Sequence, residues 1–173
     1  MLSGFLTRLK AGFTKRFLIK AGLLCGTAFV LGGSFAASSY SIGFETQNVV
    51  RCLPQVLWLL DSDVDTSAIE PGSLVKLNGA DYNAYFDEEI ELLKMVVAVE
   101  GDTVTIDAQT RTMYVNGEFY GKLAATKPPA HYGDYMLAKG QIWIAGTSDT
   151  TIDSRYFGPA TLSQIKAHAY AIL

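Results

Sequence analysis

LLKMVVAVEGDTVTIDAQTRTMYVNG, residues 92–117, carries three strand signals in succession. Leu92 to Val99 is apolar on both alternating faces apart from one lysine, which reads as a buried strand. VTID and TMYV flank a short polar turn and read as a hairpin. Asn116 and Gly117 mark a further turn. The pattern recurs outward from this stretch. VRCLPQVLWLL (50–60) reads as an irregular lead into an apolar strand, and SLVKL (73–77) as a short strand after the Pro71–Gly72 turn. QIWIAG (141–146) reads as another buried strand. Thr161 to Ala169 reads as a helical turn running into a last strand. Residues 124–133, with Lys127, Pro128 and Pro129, read as a flexible break. Glu88, Glu89 and Glu91 read as a solvated face. Short strands with turns between them predict a mainly β domain, barrel-like or sandwich-like.

Hydrophobic residues make up 49% of the 173-residue chain and charged residues 18%, and the excess is concentrated at the N-terminus. Arg8, Lys10, Lys15, Arg16 and Lys20 precede a run without charge from Ala21 to Phe44. That run has about the ~20 residues needed to cross a bilayer, though Gly32, Gly33 and several serines weaken it. Basic residues before the run, and Asp61, Asp63 and Asp65 after it, predict a cytoplasmic N-terminus and an exported C-terminal part. A cleavable signal peptide is the rival, because Ala36, Ala37 and Ser38 follow the apolar core. We adopt the anchored reading: residues 1–20 a basic cytoplasmic segment, 21–44 a transmembrane anchor, 45–173 an extracytoplasmic domain. The net charge of -3 gives little support for nucleic-acid binding.

Three features outside the anchor bear on chemistry. Lys94 shares a strand face with Leu92, Val96 and Ala98. A lysine on an apolar face either snorkels to water from a strand end or is desolvated, which favours the uncharged amine that can accept a proton. Cys52 is the one cysteine outside the apolar run, since Cys25 lies within it. It reads either as a small buried hydrophobe or as a free reactive thiol; with no Cys-X-X-Cys, a redox role has little support. The loop GTSDTTIDSRYFGP (146–159) follows a buried strand, with Asp153 and Arg155 placed to ion-pair and Gly146 and Gly158 permitting unusual backbone geometry. It reads otherwise as an ordinary polar loop. His131 and His168 have no companions at ligand spacing, so neither metal nor cofactor is expected.

The order of these pieces resembles the signal peptidase I family. KMVVAVEGDTV (94–104) is similar to the segment carrying that family's lysine and ending in Gly-Asp. GTSDTTIDSRYFGP resembles its segment with a hydroxyl residue followed by Asp-Ser-Arg. CLPQVLW (52–58) is similar to the Ser-Leu-Pro segment of the TraF-type conjugative-transfer peptidases, and YFGP with the following SQIKA looks like that branch too. The resemblance implies a signal-peptidase-like β domain behind one transmembrane helix. It implies Cys52 as nucleophile, Lys94 as general base, Thr151 orienting the amine, and Asp153, Ser154 and Arg155 supporting the site. The backbone N–H of Cys52 would contribute to an oxyanion hole. It further implies a single-pass protein of the inner membrane, facing the periplasm, that processes a membrane-embedded prepilin at the lipid bilayer, by hydrolysis or by cyclisation. Two residues depart from the family: Cys52 stands where serine is usual, and Val50 where a second oxyanion donor often sits. These departures motivate an alternative, a catalytically degenerate assembly factor of a conjugative pilus.

Overall fold

The computed structural model describes residues 15–44, 52–82, 91–124 and 130–173. Arg8, Lys10, Val50, Glu88, Glu89, Lys127, Pro128 and Pro129 lie outside the described residues. The chain divides into two units, Met1–Ser38 and Ser39–Leu173.

The first unit contains helix α1, Lys15–Ala36. Within it Phe17–Ala36 is long and apolar enough to cross a membrane, and it lies near the N-terminus, where signal sequences also lie. Its apolar side chains, including Leu24 and Phe29, are exposed, as suits a helix whose surroundings are lipid. The uncharged run 21–44 is not one element. The helix begins before it, at Lys15, and ends at Ala36. Ser38 closes the last turn, its Oγ donating to Phe35 O at 2.6 Å. Strand β1, Tyr40–Phe44, already belongs to the second unit. Absence of charge marks apolar character but not its period, so a helix and the strand after it merged in the sequence reading.

The second unit is mainly β, with two antiparallel sheets. The larger has the order β1-β2-β11-β3-β4-β9-β10. Its strands are β1, β2 (Leu57–Asp61), β3 (Leu74–Asn78), β4 (Glu91–Ala98), β9 (Gln141–Ala145), β10 (Ala160–Thr161) and β11 (Ile165–Ala171). The smaller has the order β7-β6-β5-β8, built from β5 (Thr103–Asp107), β6 (Thr112–Val115), β7 (Glu118–Lys122) and β8 (Gly133–Met136). The β5–β6 hairpin forms as its sequence predicts, and Asn116 (φ 51) and Gly117 (φ 82) make the next turn. Strand β8 begins at Gly133, where the sequence suggested only a break.

Three apolar clusters fill the unit. Val104, Ile106, Met113 and Leu137 pack with Trp143 and Tyr156. Val75, Leu77, Leu92 and Val96 pack with Ile142, Ile144 and Ile165. Leu53, Trp58 and Leu60 pack with Ala167 and Ala169. Strand β4 lies inside the larger sheet, with β3 and β9 as its neighbours. Positions 92, 94, 96 and 98 are all buried, in the predicted alternation. Val97 is buried too, where a register shift interrupts the pairing with β9.

Candidate active site

The site assembles around β4. Lys94 pairs with Val75 of β3, so its side chain leaves the sheet among Leu77, Leu92 and Val96. It is only 1% exposed. A buried lysine side chain needs a polar partner. Among the described residues that partner is Cys52: Lys94 Nζ donates to Cys52 Sγ at 2.9 Å.

The Cys52 segment is held from both sides. Leu53 is buried against Trp58 and Leu60, while Pro54 is exposed and biases Leu53 toward extended backbone. Cys52 itself is half-buried. Its carbonyl accepts from Thr147 N at 2.8 Å and from Thr147 Oγ1 at 3.3 Å. Thr147 follows Gly146, which stands just past β9. The pairs Met95↔Ala145 and Val96↔Ile144 place Gly146 opposite Lys94 in the register.

Gly146 contributes space. A Cβ there would lie 2.7 Å from Cys52 O, 2.7 Å from Thr151 Oγ1 and 3.0 Å from Thr151 Cγ2. Gly158, by contrast, contributes conformation, with φ at 83° and the His131 ring against it. The sequence reading gave both glycines the same conformational role; the structure separates them.

Behind Gly146 lies a buried polar knot. Asp153 is wholly buried and Arg155 is 2% exposed. Asp153 Oδ1 accepts from Arg155 Nε at 2.8 Å, and Oδ2 accepts from Arg155 Nη2 at 2.7 Å. This two-point pairing is the strong form of a charged hydrogen bond. Oδ2 also accepts from Gly146 N at 2.9 Å and from Thr151 Oγ1 at 2.7 Å. Asp153 further caps helix α2, Ser154–Phe157, by accepting from Arg155 N. Arg155 Nη2 donates to Ser148 O at 2.7 Å. Burial alone would push the guanidinium down, but the hydrogen bond and charge of Asp153 hold it above its ordinary value. Ser154 Oγ accepts from Ile144 N at 3.0 Å, tying α2 to β9.

The predicted residues therefore divide into two groups. Cys52 and Lys94 touch each other. Asp153, Ser154 and Arg155 brace the end of β9 and α2. Thr151 lies beside the space left by Gly146, its hydroxyl donating to Asp153 and accepting from Arg155; among the described residues no hydrogen bond joins it to Lys94. Thr147 was missed, because its main contact is a backbone N–H that any residue except proline supplies. The Gly-Asp ending the lysine segment is a turn: Gly101 has φ 87°, and Asp102 accepts from Val99 N at 2.8 Å.

The family profile described as "Signal peptidase, peptidase S26" matches residues 14–173. The chain belongs to the signal peptidase family. It is a peptidase of that type, and the one long apolar helix among the described residues fits a single-pass membrane anchor. No curated protein matches the sequence. Among solved structures, a signal peptidase I from Enterococcus faecalis V583 is similar at 14% identity, with a TM-score of 0.38. That match covers 57% of this chain and 94% of the other. Signal peptidases normally pair a serine with their lysine; here the side chain that touches Lys94 is the thiol of Cys52.

Proposed function

We propose that this chain is a membrane-anchored endopeptidase in which Cys52 is the nucleophile and Lys94 the proton carrier, and that it matures a conjugative prepilin. The observation that carries the reading is the 2.9 Å contact between Lys94 Nζ and Cys52 Sγ at a desolvated strand position. A thiolate, not a thiol, attacks carbonyls, and a lysine in contact with the sulfur can take its proton. The sulfur electron pair then forms a bond to the scissile carbonyl carbon. Negative charge develops on the carbonyl oxygen, toward which the Cys52 N–H is the donor this segment supplies. As the intermediate collapses, the C–N bond breaks, the Lys94 ammonium returns its proton to the leaving amine, and a thioester remains. Water, or an amine of the substrate itself, attacks the thioester and releases the thiol. The first outcome is hydrolysis and the second closes a ring.

The substrate assignment rests on sequence likeness alone: CLPQVLW and YFGP resemble the TraF-type branch. The same likeness and the basic N-terminal flank support insertion in the inner membrane with residues 45–173 in the periplasm, beside a membrane-embedded prepilin. The test is to co-express the chain with its candidate pilin and weigh the pilin. Wild type should shorten it, and Cys52→Ala should leave it at precursor mass. Normal processing by Cys52→Ala would remove the nucleophile assignment and favour the assembly-factor alternative.

A further inference from the structure

The contact between Cys52 and Lys94 has a second chemical capacity. Cys52 is half-buried rather than sealed in the core. Lys94 is almost completely buried, and its amine lies 2.9 Å from that sulfur. The only other cysteine of the chain, Cys25, lies in helix α1, so residues 39–173 hold no second thiol that could resolve an oxidised Cys52. A sulfenic acid condenses with a thiol or with a nitrogen, and here the nucleophile held against the sulfur is an amine.

We propose that peroxide converts Cys52 and Lys94 into a reversible covalent cross-link, a sulfenamide bond between Sγ and Nζ. The proposal rests on the contact between the two side chains and not on the peptidase reading. In the first step one peroxide oxygen is transferred to Sγ; the thiol becomes a sulfenic acid, and the rest of hydrogen peroxide leaves as water. In the second step the Lys94 nitrogen lone pair attacks Sγ, the S–O bond breaks, and the hydroxyl departs as water with a proton from the nitrogen. Sulfur is oxidised by two electrons, one peroxide becomes two waters, and the protein ends two hydrogens lighter. Dithiothreitol reverses the bond: one of its thiols attacks Sγ, its proton leaves with the amine, and its second thiol then displaces Cys52 from the mixed disulfide, giving the free thiol and cyclic oxidised dithiothreitol.

The geometry makes condensation the favoured fate. Further oxidation needs a second peroxide to arrive by diffusion, whereas the amine is already in contact. The cross-link engages both groups of the dyad at once, so the site is silenced while linked. It also shields the sulfur from sulfinic and sulfonic acid, which are not recovered by thiols. A hydroxyl nucleophile at position 52 would have no such chemistry, which gives the cysteine a property that serine lacks.

The experiment treats the purified full-length chain with limiting hydrogen peroxide and maps its peptides by mass, with and without dithiothreitol. Reading the peptides keeps methionine oxidation apart from changes at the cysteine. In wild type the peptide containing residue 52 should become joined to the one containing residue 94, two hydrogens lighter than their sum and separated again by dithiothreitol. In Lys94→Ala the same cysteine should instead add oxygens and go on to products that dithiothreitol does not reverse. Cys52→Ala should give no joined peptide. The proposal is overturned if wild type yields no joined peptide while its Cys52 peptide gains oxygen as fast as in Lys94→Ala. Should Lys94→Ala fail to fold, absence of the joined peptide from oxidised wild type overturns it alone. Pilin processing plays no part in this readout, so its outcome is separable from that of the peptidase reading.

Discussion

Replacing Gly146 by alanine tests whether the site depends on the close approach of three backbone segments. The new Cβ would sit 2.7 Å from Cys52 O and 2.7 Å from Thr151 Oγ1, where ordinary contact begins at 3.4 Å. Something must therefore yield by roughly 0.7 Å. Thr151 cannot turn away cheaply, because Asp153 and Arg155 both hold its hydroxyl at 2.7 Å. The Cys52 carbonyl is the other candidate, and Thr147 N holds it at 2.8 Å. Overpacking of this kind costs about 1–3 kcal/mol. The larger effect should be on chemistry, because a displacement near 1 Å at a reacting group can cost about 100-fold in rate. Gly146→Ala should therefore stay folded, lose about 1–3 kcal/mol in a urea melt, and lose about two orders of magnitude in pilin processing. Gly158→Ala is the control. It should destabilise through its φ of 83° and the His131 ring without placing a Cβ against Cys52. Native stability and native processing in Gly146→Ala would refute the claim that the missing side chain makes room for the Cys52 segment.

Four other outcomes follow from the same contacts. Lys94→Ala should abolish processing and slow alkylation of Cys52 at neutral pH, and Lys94→Arg should not restore either, because a guanidinium keeps its proton; normal processing in both would exclude Lys94 as the base. Asp153→Ala leaves the Arg155 guanidinium buried and unpaired, so a chemical melt should show a loss of about 3–5 kcal/mol; an unchanged melt would mean the pair is not structural. Tyr82, stacked on Phe157 and donating to Gln164, is pushed by burial to about 12 from 10.0; its raised value contributes stability that is complete below pH 10 and lost as pH rises toward 12, so Tyr82→Phe should flatten the alkaline loss of stability across that window. A reporter fused after Leu173 should be active only outside the cytoplasm, and activity of a cytoplasm-only reporter there would reverse the proposed orientation.

What the sequence disclosed and what it withheld follow a physical division. Strand β4 was legible because burial on alternating positions leaves a period-2 pattern, and Lys94 stood out because it breaks that pattern. The hairpin at 103–115 was legible from its turn and its β-branched residues. Asp153 and Arg155 were legible as a pair because opposite charges two residues apart have few other uses in a buried loop. Strand β1 was hidden, since an apolar strand following an apolar helix produces no change in composition. Thr147 was hidden because its principal bond is made by its backbone. Gly146 was visible as a glycine, but its actual use, admitting another segment's carbonyl, depends on Cys52, nearly a hundred residues earlier in the chain. Contacts between distant segments leave no local period, so no reading of one segment finds them.

These contacts form a chain of dependence that runs from structure to reactivity. Arg155 fixes Asp153 through two charged hydrogen bonds, and Asp153 fixes the Gly146 amide. The next amide, of Thr147, fixes the Cys52 carbonyl. The register of β4 against β9 sets Lys94 opposite Gly146. The sulfur and the amine thus reach one another from supports that meet at the end of β9. None of these supports depends on whether the atom at the end of the residue-52 side chain is sulfur or oxygen, because they act on its backbone. Under the proposed reading, a thiol can therefore take a serine's place without rebuilding the site around it. It also separates two kinds of damage. Loss of Lys94 should remove reactivity and spare the framework, whereas loss of Asp153 should loosen the framework and lower reactivity only as a consequence. A variant set that failed to separate in this way, with Asp153→Ala stable but inert, would place Asp153 in the chemistry itself.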